Sequence, residues 1–236
     1  MQAILITLKG PMASWGAPSI GDNRESYSYP TASAIIGLLG ACMGINRHDQ
    51  EGLDALFAAW DVATFTLSSW RDEQLNANQW VQKALSHEFQ TAMDSLMLNG
   101  ELNTNPVLGY KAFYQDMYSS AALILRDEQD HRWLEWAEYG LKQPVYTPCL
   151  GRISHPLSEP LAPELFNFSD NQTLEKLLMG KTVTKAMQAW EGSYIYPAYL
   201  ETEPVGKIGM VYLTDRRNGW RKYYSQQEYW LKEVRA

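Results

Sequence analysis

An apolar helix framed by two alternating strands restricts the fold of this 236-residue chain more than any other feature. In residues 31–44 apolar side chains recur three and four positions apart, which predicts one apolar stripe along a helix: Ile35, Leu38, Leu39, Cys42 and Met43. Thr31 is suited to cap the start of this helix and Gly44 to end it. Residues 2–8 and 62–67 alternate as strands do. Such a helix has to bury its stripe against a sheet or another helix.

The rest of the chain extends this alternation of strands and helices. The periodicity predicts, in order, a helix at 49–60, a strand at 119–125, a helix at 131–141, a short helix at 172–179 and strands at 207–215 and 227–234. Residues 68–116 are an insertion in this order, and the spacing at 79–98 predicts a helix within it. Residues 143–164 carry five prolines and predict extended chain or loop. Two strand–helix halves of this kind indicate an α+β fold with a ferredoxin-like core.

The predicted helix at 131–141 is amphipathic. The residues assigned to its buried face are Trp133, Trp136, Ala137, Gly140 and Leu141. This face is expected to pack on the same core as the first helix.

Composition excludes several classes of protein. Hydrophobic residues make up 45% of the chain, but the apolar runs are too short to span a membrane, so a soluble, cytoplasmic protein is expected. Cys42 and Cys149 lack metal-binding spacing and are interpreted as structural thiols. The four histidines form no metal-binding pattern, and no nucleotide-binding glycine motif is present. We therefore expect no metal and no cofactor.

The charge is unevenly distributed along the chain. The net charge of -7 argues against a free-standing nucleic-acid binder. Residues 205–236 nevertheless hold seven Lys or Arg against three acids, whereas residues 127–170 hold three against eight. This distribution fits a subunit with one basic face and several protein-facing surfaces. It also fits an acidic, solvated protein with a basic tail.

The loop at residues 10–30 leads into the first helix and carries groups that suit RNA. Unpaired N–H groups at a helix start attract phosphate, and the planar guanidinium of Arg24 can hold a second one. Aromatic side chains of the loop that can stack on unpaired bases are Trp15, Tyr27 and Tyr29. The alternative is that Trp15 packs in the core and Arg24 pairs with Glu25 or another acid.

Two further segments carry basic side chains. In residues 146–157, Gly151 permits a close backbone approach, and Arg152 either clamps a phosphate or forms a salt bridge. Residues 216–224 mix four basic with three aromatic side chains, and Asn218-Gly219 is typical of a hairpin turn. An RNA contact and an exposed hairpin are equally compatible with this segment.

Three of these segments together resemble a known family. They read "GPMASWG…R…YPTASAIIGLLGACMGINRHD", "YTPCLGRISHPL" and, more weakly, "DRRNGWRKYYSQQEYWLKEV". They are similar to the CasD family, the Cas-five subunit of the type I-E CRISPR surveillance complex, Cascade. The likeness runs from the first strand to about residue 161, thins over 162–200 and returns at 208–234. In place of a "DYHT"-like stretch, this chain has "ELNTNPVLGYKAFY".

The resemblance implies a fold and a division of the chain. The family has an RNA-recognition-motif-like ferredoxin core with an inserted thumb hairpin. On this basis the core comprises residues 1–67 and 117–160, and the thumb comprises residues 68–116. Residues 161–236 form a C-terminal extension with the closing strands.

The resemblance also implies a function. Members hold the 5′ handle of the CRISPR RNA and cap the complex, beside the backbone (Cas-seven-type) subunit and the large PAM-reading subunit. Target DNA is reached indirectly, no membrane is involved, and a separate subunit cuts the repeat RNA, so no catalysis is expected. The system serves antiviral defence or is a diverged, transposon-associated one. The residues assigned to RNA binding are Ser14, Trp15, Arg24, Tyr29, Thr31, Ser33, Arg47, Lys111, Tyr146 and Arg152.

Two other functions stay open. The first is a metal-independent endoribonuclease of CRISPR repeat RNA, for which a general base is required. Its candidate side chains are His48, Tyr110, Lys111 and Tyr114, which no spacing groups together. The second is a purely structural adaptor that joins neighbouring subunits without touching RNA.

Overall fold

The computed structural model describes residues 1–18, 23–72, 80–92, 95–96, 102–103, 107–127, 130–201, 208–218 and 223–235. Its helices are α1 (Ala32–Met43), α2 (Gln50–Ala59), α3 (His131–Lys142) and α4 (Asn171–Thr182). Its strands are β1 (Gln2–Ala13), β2 (Trp15–Gly16), β3 (Ser26–Tyr27), β4 (Trp60–Asp72), β5 (Val81–Gln82), β6 (Leu85–Ala92), β7 (Ser95–Leu96), β8 (Leu102–Asn103), β9 (Val107–Leu125), β10 (Glu164–Asn167), β11 (Met187–Pro197), β12 (Ile208–Asn218) and β13 (Tyr223–Arg235).

Most of these strands form one antiparallel sheet. Its order is β10-β1-β9-β4-β11-β13-β12, with β5 added to β4 and β6 added to β9. The short strands pair separately, β2 with β3 and β7 with β8. The chain is therefore a mixed α/β protein in which every strand pair among the described residues is antiparallel.

The predicted first helix is confirmed, with both of its ends. Thr31 caps α1 by accepting a hydrogen bond from the N–H of Ala34, and Gly44 ends it in the left-handed conformation at φ 79°. The apolar stripe is buried against the sheet, together with side chains of α2 and α3. Cys42 is buried in this layer, and burial raises the pKa of its thiol to about 12, as expected for a structural thiol.

The opposite face of the sheet is covered by α4. Leu174 and Leu178 pack there with alternate residues of the central strands, including Leu5 and Phe65. Successive residues of β1 thus enter different cores, which explains why its apolar run is nearly continuous.

Outside residues 68–116, the other predicted helices and strands are confirmed in place and type, although one residue of α3 was assigned to the wrong face. Trp136, assigned to the buried face of that helix, lies in solvent, and Leu134 takes its place in the core. The pattern misled because residues 133, 134, 136 and 137 are all apolar, so two different stripes fit the same helical spacing.

The helix predicted at 79–98 is wrong. Residues 85–92 form β6, which pairs with β9 from Leu85–Tyr114 to Ala92–Val107. Pairing along eight residues of a neighbouring strand outweighs the local helical preference of this stretch. The sequence reading also missed β10 and β11, of which β11 joins the closing strands to the core sheet.

The long strand β9 belongs to two parts of the molecule. On one side it pairs with β1 from Tyr114 to Ile124. On its other side it pairs with β4 from Ser119 to Leu125 and with β6 from Val107 to Tyr114. Asp116 lies between them in the left-handed conformation, at φ 52°. The β6–β9 pair, here named the hairpin, therefore continues the central strand of the sheet outward.

No α-helix among the described residues combines the length and the apolar character that crossing a membrane requires.

Candidate functional site

The loop before α1 is fixed to the hairpin through its backbone. The N–H of Arg24 donates to the carbonyl of Tyr110 at 2.7 Å, and the N–H of Ala112 donates to the carbonyl of Arg24 at 2.8 Å. Arg24 thus forms a parallel bridge opposite Lys111. Its exposed side chain pairs with no carboxylate in the ranges that the structure describes, Glu25 included.

Lys83 holds the same loop from the other side. Its ammonium donates to the carbonyl of Ser28 and lies over the ring of Tyr114, 5.2 Å from the centroid. Burial lowers the pKa of Lys83 to about 8. The rings of Tyr27 and Tyr29 stack beside this contact, 5.4 Å apart. One lysine therefore ties the base of the hairpin to the loop that precedes α1.

Lys83→Ala is expected to loosen this loop without unfolding the protein. The loss of a charged hydrogen bond predicts about tenfold faster amide exchange over residues 26–29. Hydrogen–deuterium exchange with mass spectrometry measures this change. Lys142→Ala is the matched control, because Lys142 pairs with Glu138 on the surface of α3. Equal exchange over residues 26–29 in wild type and Lys83→Ala would contradict the role of Lys83.

Arg152 packs its guanidinium against the hairpin. It donates to Oε1 of Glu88 at 3.2 Å and to the carbonyl of Ala112 at 3.1 Å. The hydroxyl of Ser14 donates to the same carbonyl at 3.1 Å. Burial lowers the pKa of Arg152, and the nearby charge of Arg24 lowers it further, while Glu88 raises it. Arg24 and Arg152 therefore both contact Ala112, which places two basic residues beside the hairpin.

The loop that carries Arg152 is seated by a glycine. Gly151 has a left-handed backbone at φ 88°, and a Cβ at this position would lie 1.8 Å from the carbonyl oxygen of Ser14. The N–H of Ser14 donates to the carbonyl of Leu150 at 3.0 Å. Only glycine permits this approach of the two backbones.

His155 is buried behind the Arg152 loop. Its Nε2 has no hydrogen-bond partner among the described residues, and its Nδ1 lies 3.2 Å from the hydroxyl of Ser154. The ring packs 5.8 Å from that of Phe113. Burial lowers its pKa, and the charge of Arg152 lowers it as well, while a hydrogen bond with the backbone of Ser154 and the charge of Glu88 raise it.

This burial predicts a loss of stability in acid. Because the pKa of His155 is lower in the folded than in the unfolded chain, the unfolded chain binds the proton first as the pH falls. The free energy of unfolding therefore decreases as the pH falls below about 6.5. In His155→Phe, urea unfolding at pH 7.5 and 5.5 should show a smaller difference than in wild type. The exposed His48, replaced in the same way, is the control. An unchanged pH dependence in His155→Phe would refute the effect.

The structure brings seven of the ten predicted RNA-binding residues to one region. Ser14, Arg24, Lys111 and Arg152 surround Ala112, and Tyr29, Thr31 and Ser33 lie at the start of α1. Tyr29 is largely buried, and burial raises its pKa to about 12. The hydroxyl of Thr31 is engaged as the helix cap.

The remaining three have other positions. Trp15 follows Ser14, but its ring is buried in the core. It therefore supports this region through packing and cannot stack on a base. Arg47 follows the C-terminal end of α1, and the N–H of Tyr146 donates to the carbonyl of Ala41 at that same end. Because α1 is twelve residues long, its two ends lie about 18 Å apart. Arg47 and Tyr146 are therefore at the end that faces away from the other predicted RNA-binding residues.

The sequence reading missed an apolar face of the hairpin. Phe89 and Tyr110 are direct cross-strand partners and are 71% and 51% exposed. Leu85 and Leu108 are exposed on the same face of the hairpin. Leu85 and Phe89 are separated by three polar residues, a spacing that fits a helix as well as a strand, so no local signal revealed this face.

The side chains considered for a ribonuclease are not grouped. On β9, Tyr110 and Tyr114 project from one face and Lys111 from the other. His48 lies beyond the C-terminal end of α1, whereas Tyr114 contacts the loop before its N-terminal end through Lys83. Across the described ranges, no three His, Cys, Asp or Glu side chains are arranged to hold a metal ion. The turn predicted at Asn218-Gly219 falls partly on residues 219–222, outside the described residues.

Comparisons with known proteins point in one direction. Residues 3–193 match the family model described as CRISPR-associated protein (Cas_Cas5). Over 159 residues, the chain is 31% identical to the CRISPR system Cascade subunit CasD of Escherichia coli (strain K12), which covers 67% of this chain and 68% of that protein.

Solved structures share the fold. A chain from a CRISPR RNA-guided surveillance complex superposes with a TM-score of 0.64 at 19% identity, covering 99% of this chain and 89% of that one. A crystal structure of a Cas protein superposes with a TM-score of 0.56 at 20% identity, covering 99% and 94%. At these identities the structural matches show only that the fold is similar, and membership of the family rests on the sequence matches.

Proposed function

This chain belongs to the CRISPR-associated Cas5 family, and from that membership we propose that it is a CasD-type subunit of a Cascade surveillance complex and holds the 5′ handle of the CRISPR RNA. A relative at 31% identity is named a Cascade subunit, and a chain of the same fold comes from an RNA-guided surveillance complex. The proposed neighbours are the backbone subunit and the large PAM-reading subunit.

The arrangement of the core supports this assignment. The strands and helices β1, α1, β4, β9, α3 and β10 follow one another as in the ferredoxin-like motif. Their strands lie side by side in the order β10-β1-β9-β4, and α1 and α3 pack together in the same core. We therefore assign these elements to an RNA-recognition-motif-like core, with the hairpin as its thumb.

The observation that carries the RNA contact is the position of Arg24. Two backbone hydrogen bonds hold it at the edge of the hairpin, and its guanidinium is exposed. An exposed guanidinium on a fixed backbone, beside Lys111, suits a phosphate, since only the side chain remains to be ordered on binding. Phosphate contacts of this kind position an RNA, and splayed bases supply selectivity.

The roles of the other residues follow from their positions. Phe89 and Tyr110 offer exposed rings on which unpaired bases can stack. Arg152 adds positive charge but is already bonded to the hairpin, so it mainly positions the surface. Thr31 and Ser33 shape the start of α1. In this proposal the acidic net charge is no obstacle, because one face alone meets the RNA.

We assign no catalytic step to this subunit. Cleavage of RNA without a metal requires a base within reach of the 2′-hydroxyl. Of the two histidines in this region, His155 is buried with its Nε2 enclosed, whereas His87 is exposed on the hairpin opposite Ala112 and is the base that a ribonuclease would have to use. Cleavage of repeat RNA by the isolated protein in EDTA would favour the ribonuclease over this proposal.

Photocrosslinking tests the proposed contact directly. The chain is co-expressed with the other subunits and a guide RNA that carries 4-thiouridine in its 5′ handle. Crosslinked peptides are then mapped by mass spectrometry. We expect crosslinks in residues 23–33 and in the hairpin. A chain that enters the complex while only its neighbours crosslink would support the structural adaptor and overturn the RNA contact.

A further inference from the structure

The outer face of α3 leaves aromatic rings in solvent. The inner face buries Leu134, Ala137 and Leu141 against α1. On the outer face Trp136 is 47% exposed and Tyr139 is 63% exposed. Two large rings three residues apart lie side by side on a helix, so they form one patch rather than isolated exposed residues.

This patch is rigid. The ring of Trp133 is partly buried and stacks on that of Trp136, with centroids 5.5 Å apart and planes inclined by 23°. Gly140 brings α3 against the backbone of Cys42, which fixes the helix to α1. Rings held in this way lose little conformational entropy when a partner covers them, as at energetically dominant positions of protein interfaces.

The patch continues into the residues that follow α3. The N–H of Val145 donates to the carbonyl of Cys42 at 3.0 Å, and the N–H of Tyr146 donates to the carbonyl of Ala41 at 3.2 Å. Both side chains are exposed despite this fixed backbone. The α3 surface is defined here as Trp133, Glu135, Trp136, Glu138, Tyr139 and Val145.

The charge around the α3 surface indicates which charge a binding partner should carry. Residues 130–142 hold three carboxylates, Asp130, Glu135 and Glu138, against two cations, so one carboxylate is in excess. Both cations are paired within the chain, Arg132 with Asp130 at 3.0 Å and Lys142 with Glu138 at 2.7 Å. An excess of carboxylates repels RNA phosphates and attracts cationic side chains, which also stack favourably on indole and phenol rings.

We propose that the α3 surface docks a neighbouring protein subunit through arginine and lysine side chains of that subunit. These cations stack on Trp136 and Tyr139 and pair with Glu135. The inference rests on the proposed role of the chain as a subunit of a surveillance complex. It assigns the C-terminal end of α1 to protein contact, while the N-terminal end is the one proposed for RNA. Tyr146 accordingly belongs to the protein-facing side.

The test compares assembled complexes that contain wild type, Trp136→Ser/Tyr139→Ser or Leu165→Ser. Leu165 is the matched control, because it is equally exposed but lies on the edge strand β10. We expect the double variant to bind one protein subunit about 30-fold more weakly while it keeps guide RNA, and the control to bind normally. Carbodiimide crosslinks from Glu135 to lysines of that same subunit are expected in wild type. Unchanged thermal unfolding of the double variant shows that it is folded.

The outcomes separate the two proposals. If wild type fails to assemble with guide RNA and the other subunits, the proposed function fails. If wild type assembles and the double variant assembles equally well, the docking inference is overturned while the function stands. Thiouridine crosslinks in residues 131–146 would also overturn it, as would a wild-type dimer in sedimentation that the double variant abolishes, since the occupant would then be RNA or a second copy.

Discussion

Gly151→Ala is expected to lower the free energy of unfolding by about 3 to 5 kcal/mol. The new Cβ would overlap the carbonyl oxygen of Ser14, 1.8 Å away, and the left-handed backbone at φ 88° disfavours any side chain. The loop can relieve the overlap only by leaving β1, which breaks the bond from Ser14 N–H to Leu150 and withdraws Arg152 from the hairpin. Urea unfolding followed by tryptophan fluorescence measures the loss.

Gly37→Ala is the matched control. Gly37 lies on the exposed side of α1, and a Cβ there would meet nothing within 4 Å. Alanine should raise the free energy of unfolding by about 0.5 to 1 kcal/mol, because it restricts the unfolded chain. Equal effects of the two substitutions would mean that the Gly151–Ser14 contact does not limit the choice of residue.

Arg24→Gln is expected to weaken binding of the handle RNA by about tenfold to a hundredfold. The variant keeps the backbone bridge to the hairpin, since both hydrogen bonds use main-chain atoms. Only the charged, forked contact to phosphate is removed. If that contact neutralises one phosphate of a single strand, the slope of log affinity against log salt should flatten by about 0.7. Fluorescence anisotropy with labelled guide RNA at several salt concentrations gives both quantities.

A control separates this effect from a general change in charge. Arg132→Gln removes the same charge on α3, where Arg132 pairs with Asp130 in solvent. It should leave both the affinity and the salt slope unchanged. An Arg24→Gln complex that binds with the wild-type slope would remove Arg24 from the RNA surface.

Local patterns in the sequence were sufficient to predict the elements that local interactions stabilise. Thr31 and Gly44 mark α1 because a cap and a left-handed end depend on one residue each. The stretch at 85–92 was misread because its helical spacing is a weak preference, which pairing with a distant strand overrides. The partners of β11 lie in β4 and β13, and no local pattern names them.

The same distinction holds for the candidate site, where contacts within a short stretch were predicted and contacts between distant segments were not. The sequence pointed to Arg24 and Thr31, because a basic residue ahead of a helix start is visible in a short window. It did not reveal that Lys83 holds Ser28, or that Gly151 touches Ser14, since these contacts join segments far apart in the chain. It also left Trp136 on the wrong face of α3. Which of the predicted site residues lie close together depends on these contacts between distant segments.

The pairing of β1 with β9 and β10 has a consequence for synthesis on the ribosome. The apolar residues of β1 leave the ribosome before those of β9, and the strand on which they pair ends at Leu125, more than a hundred residues later. At about 5 to 20 residues per second, this delay is roughly 6 to 25 s. During that interval β1 is an unpaired, aggregation-prone edge. Chaperones that bind extended apolar segments are therefore expected to govern the yield of this protein more than its final stability does.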